Sequence, residues 1–135
     1  MPKDSPPMIQ PPKMPMETVD INLRLPGLNE YINECRNNKF AAAAMKRETE
    51  NNIGWFIKRL PVYTDPVIVH FVWIEKDRKR DLDNIAFAKK FIFDALVKFG
   101  KLAGDGQKYV VGFTDTLEHG PETKVKISVE RAAKG

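Results

Sequence analysis

The stretch VIVHFVWIE, Val67 to Glu75, constrains the fold more than any other part of the chain. It is rich in β-branched and aromatic side chains with few polar interruptions, and it reads as a central strand buried on both faces. A strand of that kind belongs in a layered fold, and its flanking segments supply the layers. VDINLRL, Val19 to Leu25, alternates apolar and polar residues as a half-buried strand does. PGLN then breaks the strand, and from about Asn29 to Leu60 the pattern is helical, with an alanine run in the middle. The asparagine pairs at 37–38 and 51–52 leave open whether that helix is unbroken. Beyond the central strand, Ile85, Ala88, Ile92, Ala95, Leu96 and Phe99 recur at helical spacing; Asp81, Asp83 or Asn84 can cap that helix and Gly100 stops it. QKYVVGFTD (107–115) and KVKISVE (124–130) are two further strands, with hairpin punctuation between them at Gly120 and Pro121. The expected fold is α/β: one domain in the order β-α-β-α-β-β, with helices packed on a mixed sheet.

A chain of 135 residues suits one domain and buries enough surface for one core without staples. Residues 1–18 hold six of the ten prolines and no apolar periodicity, so a disordered tail is expected there, ahead of a domain over 19–135. The single cysteine, Cys35, excludes an intrachain disulfide and a cysteine-based zinc site, and reads as a small apolar residue on a helix. His70 reads as a hydrogen-bonded core residue and His119 as a turn residue, neither with a second His or Cys at ligand spacing. Trp55 and Trp73 read as core, Trp55 alternatively as facing a partner. No apolar run is long enough to cross a bilayer and no signal-peptide core is visible, which leads us to expect a cytoplasmic protein with no membrane partner.

The chemistry-bearing residues concentrate after the central strand. Lys76, Arg78, Lys79 and Arg80 run straight into Asp81 and Asp83. The net charge of +4 permits a polyanionic partner without demanding one, and its clustering says more than its total. If the backbone at the acid pair is extended, residues i and i+2 point to one side. Two carboxylates held that close repel unless a cation sits between them, and Mg²⁺ is a hard cation that takes such ligands. Each acid also has an ordinary role: an N-cap for Asp81 or Asp83, a turn residue for Asp105 in AGDGQ. Taken alone, the basic run is a solvated loop. Beside the acids it is a place to hold phosphates, with Lys39, Lys46 and Arg47 as weaker candidates for the same surface.

Taken together, RDLDN followed by FDALVKFGKLAGDGQ resembles the RusA family of Holliday-junction resolvases, and LPGLNEYI resembles that family's N-terminal segment. The resemblance covers most of the chain. It matches Asp81, Asp83 and Asp105 to three catalytic carboxylates, Asn84 to the asparagine beside the pair, and Asn29 to an N-terminal polar position. There are two departures. Gly104 stands where the family has the first acid of an Asp pair, and Asp83 to Asp94 is three residues longer than the family gap. Counting back from Asp94 assigns the family's helix lysine to Lys90, with Lys89 as runner-up, whereas counting forward from Asp83 gives Phe87. Asp94 itself reads as structural, paired along its helix with Lys90 and Lys98.

The resemblance implies a Mg²⁺-dependent endonuclease, with Mn²⁺ as a substitute, that acts as a homodimer on four-way junction DNA in phage or prophage recombination and repair. Asp81, Asp83 and Asp105 would be the ligands and Lys90 the charge-stabilising lysine. Lys76, Arg78, Lys79, Arg80, Asn29, Asn84 and Lys46 would contact DNA. A branched-DNA-binding protein without catalysis and a nuclease preferring forks or flaps are the alternatives.

Overall fold

In the computed structural model, which describes residues 16–132, Val67 to Glu75 forms a central strand whose strict alternation sets the architecture. The elements are β1 (Glu17–Ile21), α1 (Leu28–Asn37), α2 (Lys39–Ile57), β2 (Val67–Glu75), α3 (Leu82–Ala86), α4 (Lys89–Lys98), β3 (Val110–His119) and β4 (Lys124–Arg131). They build one α/β domain on a mixed sheet ordered β1-β4-β2-β3, in which β2 runs parallel to β3 and antiparallel to β4. A parallel neighbour needs a crossover, and α3 with α4 provides it.

The expectation that β2 is buried on both faces is corrected. Val67, Val69, Phe71 and Trp73 are buried with Ile53, Ile57, Phe91, Ile92 and Leu96 of the helices, whereas Ile68, His70, Val72 and Ile74 are only half-buried. The helices stack on one face, and the other is a hydrogen-bonded polar surface. There His70 bridges Thr114 of β3 and Glu130 of β4, each at 2.8 Å, and Thr18 meets Ser128 at 2.9 Å. His70 is therefore hydrogen-bonded as expected, but outside the helix-covered core. An antiparallel or mixed sheet tolerates one wet face; sequence apolarity alone does not say which side is covered.

The element boundaries moved for identifiable reasons. Strand β1 starts at Glu17, so Glu17 and Thr18 belong to the sheet and not to a tail; residues 1–15 lie outside the described residues. It ends at Ile21 because its partner β4 begins at Lys124, and Leu25 enters the core from a loop instead. The first helical segment breaks at Asn38, whose extended backbone and Oδ1 bond to the Phe40 N–H (2.7 Å) start α2; the second asparagine pair continues the helix. The second segment divides at Phe87–Ala88, where Ala88, Lys90 and Phe91 bond back three residues to Ile85, Phe87 and Ala88 in a 3₁₀-like turn. Gly100, at φ +76°, ends α4 as expected, with Lys101 N–H closing onto the Leu96 carbonyl. Cys35 is exposed on α1, and Phe99 is partly exposed.

The expected hairpin is absent. Strands β3 and β4 flank β2, and residues 120–123 pass over its end. Gly120 donates to the Glu75 carbonyl (3.1 Å), and a Cβ there would come within 2.9 Å of Ile74, which accounts for the glycine. Strand β3 therefore pairs with β2 as far as His119, a strand end and not a turn.

A polar tether closes the β1 edge. Tyr63 donates to Glu17 Oε1 at 2.7 Å, and Arg131 donates to the same oxygen at 3.0 Å. Burial, then the Glu17 carboxylate, raises the Tyr63 phenol far above its usual range. The Tyr63 hydroxyl, helped by Arg131, holds the Glu17 carboxyl below the usual carboxylate range. Because the folded value is depressed, this stability is fully present above the unfolded value and is lost as pH falls through the folded one. Glu17→Gln is expected to flatten the acid limb of the urea midpoint against pH, while neutral-pH unfolding stays two-state.

Candidate active site

The loop leaving β2 carries the basic run, and its four cations play different parts. Arg80 is withdrawn from the DNA-contacting set. Its guanidinium donates to both Glu75 carboxylate oxygens (2.9 and 3.3 Å) and to the Leu25 carbonyl (3.1 Å), with only 11% of the side chain exposed. A carboxylate as buried as Glu75 needs such a partner, and the planar fork of arginine satisfies both oxygens at once. Lys76, Arg78 and Lys79 remain exposed, and Asp77 turns the loop by accepting from the Lys79 N–H at 3.0 Å.

The acid pair does not have the extended geometry expected of it. Asp81 is the N-cap of α3, without a side-chain capping bond, and Asp83 is already the second helical residue. Leu82 between them is helical, so the pair does not take the same-side arrangement of an extended segment. Asp83 Oδ1 accepts from the Asn84 N–H at 3.0 Å.

Asn84 is tied into the fold through its side-chain oxygen. Its Oδ1 accepts from the Asn29 N–H at 3.0 Å, at the second position of α1. The N-cap of α1 is Gly27, which has no side chain to offer, and Glu30 reaches back to the Gly27 N–H (3.2 Å). Asn84 thus caps α1 from a different helix. A Cβ on Gly27 would meet Asn84 Oδ1 at 2.6 Å, so the glycine makes room for the cap it lacks. The LPGLN and DLDN segments are joined by this contact, and Asn29 takes part through its backbone. Asn84→Ala is expected to lower stability by about 1 kcal/mol, the usual worth of an N-cap, and Asn84→Asp to keep most of it, as read from urea midpoints.

Asp83 lines an open cleft of about 700 Å³ with Leu28, Phe87, Lys89 and Asp115. Asp115, on β3, was not anticipated. Its Oδ1 accepts from the indole N–H of buried Trp73 (2.8 Å), and its Oδ2 from Lys89 Nζ (2.6 Å). The Lys89 ammonium also lies 4.3 Å from the centre of the Phe113 ring. Trp73, Asp115 and Phe113 therefore fix a lysine at the cleft that Asp83 shares. The one signal in the sequence was that Phe113, Asp115 and Leu117 alternate on a single strand face, one polar among apolar.

Asp105 and Lys90 sit next door, in a concavity that Lys89 also lines. Lys90 Nζ lies 3.2 Å from Asp94 and 3.5 Å from Asp105. These partners, Asp94 first, raise the Lys90 pKa and keep it protonated. Asp94 also meets Lys46 (3.4 Å), which is paired with the buried Glu50; Glu50 raises the Lys46 pKa in turn. Lys46 is thus committed to an intramolecular chain of alternating charges, and Asp94 is structural as expected, although Lys98 reaches Glu50 (3.8 Å) instead. At Gly104 a Cβ would meet the Tyr109 ring at 2.9 Å, so the ring occupies the space an acidic residue there would need.

The expected triad of Asp81, Asp83 and Asp105 is not gathered: among the described residues no three His, Cys, Asp or Glu side chains stand together as a metal-binding group. The donors still suit Mg²⁺ in its commonest mode, one or two carboxylates completed by water and phosphate oxygens. No helix among the described residues is long and apolar enough to cross a membrane. Compared with protein-family models and with curated proteins, the chain matches none of either.

Proposed function

We propose that this chain is a Mg²⁺-dependent endonuclease that cuts branched DNA, four-way junctions above all, as a cytoplasmic homodimer. The observation that carries this is the cleft where Asp83 shares space with a lysine fixed by Asp115, one loop away from three exposed cations. The resemblance of the DLDN and FDAL segments to RusA resolvases supports the choice of substrate. Asp83, with the neighbouring Asp81, would hold the ion, which when bound polarises a phosphodiester and helps ionise an attacking water. Lys89 is the better-placed lysine for stabilising charge that develops on the phosphoryl oxygens, because two partners already orient it. Lys90 and Asp105 form the adjacent wall. Lys76, Arg78 and Lys79 bind flanking phosphates, contributing affinity and position without base readout. Two-fold symmetry supplies the second site that paired cuts require.

A branched-DNA-binding protein without catalysis is favoured by one observation, the dispersal of the three acids. Labelled four-way junctions and linear duplex, incubated with Mg²⁺, Mn²⁺ or EDTA, separate the two. Paired symmetric nicks requiring the metal support the nuclease. Tight junction binding without cutting in either metal supports the binding protein, and preferential cutting of forks or flaps redirects the substrate.

A further inference from the structure

Helix α2 carries a second feature that the cleft does not use. Trp55 is 70% exposed and Phe99, just past α4, is 42% exposed. With Asn51, Gly54 and Lys58 they line an open, mainly apolar slot of about 350 Å³. Gly54 shapes it: a Cβ there would lie 2.6 Å from the Phe99 ring, so only glycine lets the ring rest against the helix backbone.

We propose that Trp55 and Phe99 form a stacking site for an unpaired nucleobase of single-stranded DNA. Every base has an aromatic face, and sites that take bases without reading them combine aromatic platforms with cations that track the backbone. Both ingredients are present. Asn51 and Asn52 lie within one turn of Trp55 on the same side of α2, and Lys58 and Arg59 follow at and just past the end of the helix, with no carboxylate among these four. The Lys58 ammonium lies 4.7 Å from the Trp55 ring centre, and Lys98 lies 5.9 Å from that of Phe99. Lys101 is held at the same edge by donating to the Lys58 carbonyl at 3.1 Å. A second copy of the chain is a poorer occupant, since a two-fold contact sets Lys58, Arg59 and Lys101 against themselves. An anionic strand with exposed bases meets both the rings and the charges. The site needs no metal and stands apart from the cleft.

The test uses the full chain in EDTA with fluorescently labelled oligothymidylate and an abasic strand of equal length and charge. Oligothymidylate is expected to bind about tenfold or more tightly than the abasic strand and to quench tryptophan emission. Trp55→Ala is expected to bring oligothymidylate down to the abasic level with an unchanged salt slope, because phosphate contacts persist. Trp55→Phe keeps the affinity while the quench disappears, since Trp73 is then the sole tryptophan and is buried. Equal binding of the two strands, or full affinity in Trp55→Ala, overturns the site. A fall in sedimentation mass in Trp55→Ala with DNA binding intact assigns the slot to a second copy. Failure to cleave junctions bears on the nuclease alone, because none of these readouts involves cutting.

Discussion

Asp83→Asn is expected to slow Mg²⁺-dependent cleavage of a four-way junction by about a thousandfold or more, while junction binding in EDTA stays intact. The size follows from the several kcal/mol that a metal ion contributes to a phosphoryl transition state, each 1.4 kcal/mol being about a factor of ten. Asparagine keeps the shape and the acceptor oxygen that receives the Asn84 N–H, so the start of α3 survives and only the negative charge is lost. Asp83 is exposed, which makes unfolding a poor explanation for lost activity. Single-turnover rates at saturating protein, measured beside binding by anisotropy, separate chemistry from affinity. Cleavage that persists at the wild-type rate would remove Asp83 from the mechanism and leave Asp105 with Lys90 as the next site to examine.

Arg80→Met is expected to cost about 3–5 kcal/mol of stability, the largest effect predicted for any residue of the basic run. Glu75 is 5% exposed, and Arg80 donates to both of its carboxylate oxygens, so removing the guanidinium strands a buried carboxylate. The Leu25 carbonyl loses a donor at the same time. Glu75→Leu combined with Arg80→Met is expected to recover most of the loss, since an apolar pair of similar volume often substitutes for a buried ion pair. Arg78→Ala and Lys79→Ala, both exposed, should leave stability within about 0.5 kcal/mol and instead shallow the salt dependence of junction binding. Urea unfolding of the singles and the double decides the matter. If Arg80→Met weakened DNA binding without lowering the urea midpoint, Arg80 would return to the DNA-contacting set.

The four cations of the basic run look alike in sequence because charge type is all that sequence displays there. What distinguishes Arg80 from Lys79 is a buried carboxylate five residues earlier, at the end of β2, and the carbonyl of Leu25, 55 residues away. Asn84 shows the same limit. Its place beside Asp83 marks it as part of a site, yet its oxygen is spent on the first turn of α1, across a gap closed only by folding.

Residue patterning alone determined the four strands, the two helical regions, the α/β class, the stop at Gly100 and the Lys90–Asp94 pair. These depend on side-chain period and local backbone preference, which are properties of neighbours in the chain. Only the tertiary structure decided that β2 is covered on one face, that β3 and β4 flank it without forming a hairpin, and that Asp115 holds Lys89 beside Asp83. Those outcomes rest on contacts between β2, β3 and α4, whose residues are far apart in sequence, and packing and hydrogen bonding across such gaps leave no periodic trace in the sequence.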